Sequence, residues 1–161
     1  AVFRKSGDVK AVEVSPDMFP QVKWVTTENK TRQEGEMEDR AAMYFEKENL
    51  IKANFDFQGY RDVIKHFLEE HSGSPHAPKI VTEEIKKLFS QQLMETVTSA
   101  LSFRNRPQWN PEDFEAALSE EALTLAVGSR YYLMTEARRI LNSKIGKPEE
   151  LQPEPEEVNT V

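Results

Sequence analysis

No cysteine occurs among the 161 residues. That excludes disulfides, thiol nucleophiles and cysteine metal sites, and it fits a cytoplasmic protein. Glycine is sparse as well. The 6 glycines are scattered, and none builds a GxGxxG or Walker loop, so the chain has no nucleotide-binding signature of its own. No serine sits in a nucleophile elbow. No apolar run approaches the ~20 residues that span a bilayer, and no charged-then-apolar leader opens the chain. A membrane is therefore not an expected partner. The opening AVFRKSG lacks an initiator Met, which favours a fragment of a longer polypeptide.

Basic charge is in the minority. The formal net charge is −7. The last fifteen residues, KPEELQPEPEEVNTV, carry one Lys and five Glu, a net −4, which leaves −3 for the body. That balance argues against non-specific nucleic-acid binding by the chain as a whole, while a local basic face remains compatible with it. Aromatic residues are plentiful enough for a folded core: 9 Phe, 4 Tyr and 2 Trp.

Three regions follow from the patterning. Residues 1–54 read as a small, mostly antiparallel β-sheet subdomain. DVKAVEV (8–14) and QVKWVTT (21–27) have strand character, and AAMYF (41–45) with NLIKAN (49–54) form a hairpin. In that hairpin Ala42 and Tyr44 share one face, Met43 and Phe45 the other. The polar stretch 28–39 reads as a long exposed loop.

Residues 55–146 read as a bundle of about four helices, and residues 147–161 as an acidic Pro/Glu-rich tail. In the bundle, Phe57, Tyr60, Ile64, Phe67, Leu68 and His71 fall on one helical face. Asp56 suits an N-cap, with Phe55 and Tyr60 as a hydrophobic staple. A second helix of about 25 residues starts near Pro78 and forms the spine. NPED (110–113) starts a third, with Asn110 as cap. A fourth runs from Ser119 to the stop at Gly146. Its apolar surface is wide enough to predict a largely surrounded helix, with Gly128 placed for close packing.

The histidines His66, His71 and His76 are spaced by five, which splays them on a helix and argues against a metal pair. Carboxylates lie in runs that suit solvated faces and helix starts. No catalytic, cofactor or metal residue is assigned. The candidate partner contacts are Phe103, Arg104, Arg106 and Trp109 in the loop SFRNRPQW, with Arg138 and Arg139 near the end of the last helix. Basic groups beside aromatics can hold phosphate or stack on a base, and they can equally cap helices and anchor a loop.

Several strings taken together carry a resemblance: DRAAMYF (39–45), NLIKANFDFQGYRDVI (49–64), QQLMETV (91–97), WNPEDFEAALSEEALTLAV (109–127) and RYY (130–132). This combination resembles the C-terminal region of large bacterial proteins of uncertain role whose N-terminal part is a histidine-kinase-like (GHKL) ATPase. The resemblance spans roughly residues 8–146. It implies that the ATP-binding motifs lie upstream, that this segment is not itself an enzyme and needs no cofactor, and that the ATPase domain is its partner in cis. The expected α+β chain is then a non-catalytic interaction or oligomerisation module. Nucleic-acid handling through an Arg/Trp face is the first alternative, and an unrecognised hydrolase or metal site the second.

Overall fold

A computed structural model describes residues 19–147. The strand expected over residues 8–14 and the tail beyond residue 147 lie outside the described residues. The fold is α+β: a three-stranded sheet, β1 (Gln21–Val25), β2 (Ala42–Phe45) and β3 (Leu50–Asn54), followed by five helices. The helices are α1 (Gln58–Glu70), α2 (Ala77–Leu101), α3 (Pro111–Ala117), α4 (Glu120–Gly128) and α5 (Tyr131–Ile145).

The β2–β3 hairpin forms as the alternation predicts. The sheet is mixed rather than mostly antiparallel, because its order is β1-β3-β2 and β1 runs parallel to the central β3. The segment between β1 and β2 is long enough to set β2 one strand out, which leaves the gap that β3 fills. The inner face carries Ile51, Ala53 and Ala42, with Val22, Trp24 and Tyr44 packed beside them. This face lies against α1 and α2.

Tyr60 joins the layers. Its ring is fully buried and meets Trp24, Phe57 and Phe89 edge-on, at centroid distances of 5.0, 5.4 and 4.6 Å. Its hydroxyl donates to the Ala41 carbonyl at 3.0 Å, and burial pushes the phenol's pKa up. Trp24 adds a second tie, donating from Nε1 to Ser90 Oγ at 3.0 Å. The expected Phe55–Tyr60 staple is replaced: Tyr60 packs on these three rings, while Phe55 meets Trp24 edge-on at 6.0 Å.

Asp56 is not the cap of α1. The cap position is Phe57, with no side-chain hydrogen bond. Asp56 instead reaches back to the loop after β1. It accepts from Thr26 Oγ1 (2.9 Å), Thr27 N (2.8 Å), Arg32 Nε (3.0 Å) and Arg61 NH2 (3.0 Å). Burial pushes its pKa up, but those donors outweigh it and hold the carboxyl well below the usual carboxylate range. Asn54, also buried, donates to the Met37 and Arg40 carbonyls, both at 3.0 Å. Residues 28–39 are thus not simply an exposed loop. The Arg32 side chain is only 8% exposed and Met37 is buried, because the carboxylate and the amide pull them in.

α2 is the spine, touching β1, β3 and each of the other four helices. Its buried face runs through Val81, Ile85, Phe89, Leu93 and Val97. A buried carboxylate on it, Glu84, accepts from Lys144 of α5 at 2.6 Å and from Lys87 at 3.0 Å. The Lys144 hydrogen bond, opposed by burial and helped by Lys87, holds the Glu84 pKa low.

The last expected helix is two. Ser119 caps α4 (accepting from Ala122 N at 3.1 Å), and α4 ends at Gly128, with Ser129 leaving the helical path. Asn110 caps α3 as expected, accepting from Asp113 N at 2.8 Å, and Gly146 ends α5 at φ 103°. Gly128 is not a packing glycine: a Cβ there would meet nothing within 4 Å. Gly59 is one, since a Cβ would lie 2.5 Å from the Phe57 ring.

Asp56→Ala should cost about 2–4 kcal/mol in urea unfolding, above the ~1 kcal/mol of a lost cap, because it strands the buried Arg32. The folded pKa of Asp56 lies below its unfolded value of ~4, so its contribution is present above that pH and is lost on acidification. The gap between the native chain and Asp56→Asn should accordingly close below pH ~4. In thermal melts Gly128→Ala should stabilise by ~0.4–1 kcal/mol, and Gly59→Ala should destabilise by ~1–3 kcal/mol.

Candidate interaction face

The sequence-based contact residues fall into two groups at different ends of the bundle. Phe103, Arg104, Arg106 and Trp109 form the corner between α2 and α3. The Phe103 and Trp109 rings stack at 4.5 Å and 18°. Arg106 lies over Phe103, and Arg104 over Phe114, both at 5.0 Å. Arg104 also pairs with Glu46 in the β2–β3 turn. A cavity of about 250 Å³ opens beside these side chains. The aromatic faces that a nucleobase would use are therefore occupied by each other and by guanidinium groups.

Arg138 and Arg139 lie on α5. Arg138 binds Glu70 at the end of α1 at 3.0 Å, with its guanidinium 5.7 Å from the Phe67 ring. Arg139 pairs with Glu136 one turn back, and that hydrogen bond holds the Glu136 pKa low. Glu70 closes α1 just ahead of α2, whereas Arg104 follows the α2 C-terminus. The length of α2, ~37 Å, separates the two ends. Four arginines do not converge on one face, and three of them are already ion-paired.

The histidines disperse too. His66 contacts Glu70 at 3.1 Å, and His76 sits at the start of α2. His71 is fully buried, with neither ring nitrogen hydrogen-bonded. Among the described residues, no three His, Asp or Glu side chains gather as a metal set. Among the same residues no helix is long and apolar enough to cross a membrane.

The most conspicuous surface lies elsewhere. A groove of about 430 Å³ runs between α2 and α5. Leu88, Leu133 and Ile140 supply its apolar lining, and Gln91, Gln92, Glu95 and Glu136 its polar part. A second cavity of about 500 Å³ shares Gln91 and Glu95 and adds Phe19, Met94 and Thr98. The Gln91 amide donates to Glu95 at 3.0 Å, forming the ridge between them. Tyr132 lines the groove while standing 81% exposed, with Tyr131 and Leu125 each 78% exposed. The two tyrosine rings meet edge-on at 5.4 Å.

Comparison with known protein families, with curated proteins and with solved structures returns no match.

Sequence reasoning missed Leu125, Tyr131 and Tyr132 as surface groups. The signal was the wide apolar surface over residues 119–146, which was read as burial. The break after Gly128 turns part of that surface outward, so the apolar surplus is displayed rather than covered. If so, Leu125→Ser, Tyr131→Ser and Tyr132→Ser should each change urea stability by no more than about 0.5 kcal/mol. Leu123→Ala, two residues before Leu125 but fully buried, should cost ~2–5 kcal/mol.

Proposed function

We propose that this chain is a non-catalytic interaction module whose working surface is the α2–α5 groove with the exposed side chains of α4 and early α5. The observation that carries this reading is the exposure of Tyr132 in the lining of a partly apolar groove, with the exposed Tyr131 ring against it and a further exposed apolar side chain, Leu125, on α4. Large exposed apolar groups gathered beside a concavity mark contact sites far more often than chemistry. Two carboxylates drawn into the fold point the same way: half-buried Asp56 and buried Glu84 are engaged by donors inside the fold and face no cavity described above. On the resemblance to GHKL-associated C-terminal regions, the natural partner in cis is an ATPase domain in the same polypeptide, and the face would pass on its nucleotide-dependent movement or hold a client.

The test is site-specific photocrosslinking in the longest polypeptide that the reading frame encodes, expressed in its own host. Benzoylphenylalanine at 125 or 132 is expected to give adducts to one defined peptide, read by mass spectrometry. The same group at 112 or 115 on α3 serves as the control. Adducts no more frequent or specific than at the control positions would overturn the reading.

A further inference from the structure

Resting on that reading of the face, we infer that the groove receives a basic amphipathic helix of a partner protein. Among the described residues, the lining of the two adjoining cavities holds two carboxylates, Glu95 and Glu136, and no Lys or Arg. Arg139 shares Glu136. Among the same residues Glu95 has the Gln91 amide as partner and meets no cation.

An occupant that completes this surface brings apolar groups for the floor and positive charge for Glu95. Lys and Arg on the flanks of an apolar helical stripe supply both. The exposed ring of Tyr132 adds a face on which a cation can rest. The dimensions agree. The two cavities together follow α2 from Leu88 to Thr98, about 15 Å or two to three helical turns. The Gln91–Glu95 pair, one turn apart on α2, runs along that length with a depression on either side, so a helix lying along the ridge sets apolar side chains from its two flanks into them. An acidic or purely apolar helix would leave Glu95 desolvated without a partner.

The probe is a fluorescein-labelled peptide of about 18 residues with Leu and Lys in a helical amphipathic pattern, long enough for the groove. It is titrated by anisotropy with the 161-residue chain. Saturable binding is expected, weakened at least ~10-fold by the double variant Glu95→Lys, Glu136→Lys. The control Glu112→Lys, Glu115→Lys on α3 makes the same change in net charge and should leave affinity unchanged, and a peptide with Glu in place of Lys should not bind. Circular dichroism verifies folding; should the double variant not fold, Glu95→Gln alone carries the comparison.

Absence of saturable binding overturns the inference. So does equal weakening by both double variants, which would reflect the charge of the whole chain. A dimer in sedimentation equilibrium that Glu95→Lys, Glu136→Lys dissociates would place a second copy in the groove and also overturn it. In any of these cases, face-specific crosslinks at 125 and 132 would leave the interaction reading standing, and their loss would remove both.

Discussion

The carboxylate of Asp56 closes the structure at its one awkward place. The chain leaves β3 and must turn at once into α1, while the segment between β1 and β2 passes nearby with many polar groups and little to bury. Four donors from three parts of the chain meet on this carboxylate. Asn54, two residues earlier, holds two carbonyls of the same segment and caps the Asp56 N–H at 3.0 Å. With the loop pinned, the Phe55, Phe57 and Tyr60 rings can stack around Trp24 and dock the sheet on the helices. A short acidic residue is needed: Glu would displace the charge by a methylene from donors held at hydrogen-bond distance.

The hairpin, the α2 spine, the caps at Asn110 and Ser119 and the stop at Gly146 were all legible in the sequence. Each depends on neighbours within a few residues: side-chain alternation, apolar period or a side-chain oxygen three residues from the N–H it accepts. What was not legible depends on distant pairing. Nothing in QVKWV announces that its partner would be β3, and parallel pairing cannot be read from a strand's own residues. Asp56 illustrates the same limit. Its place before a helical pattern fits a cap, and only Thr26, Thr27 and Arg32, far off in sequence, outbid the helix for its oxygens.

The surface was read less well than the core for a related reason. The candidate arginines were chosen by their neighbours in sequence, yet their actual neighbours are Glu46, Glu70 and Glu136. Those carboxylates convert a supposed basic face into separate surface pairs, each worth little on its own. Conversely, Leu125 and Tyr131 look like core by period. A break of two residues in the helical path, Ser129 and Arg130, decides that they are surface, and a break that short leaves only a weak mark in composition: one Ser, after Gly128.

The chain's two tryptophans stand in different structural worlds. Trp24 sits between sheet and bundle, against Phe55 and Tyr60, with its indole N–H bound to Ser90 and the Lys86 ammonium 5.6 Å from its ring. Trp109 is stacked on Phe103 at the far corner, in a segment whose helix, α3, buries none of its residues. The molecule therefore carries two built-in optical reporters. Trp24 fluorescence follows the docking of the sheet, and Trp109 fluorescence follows the α2–α3 corner, so a single emission spectrum can separate loosening of the rim from dissolution of the core.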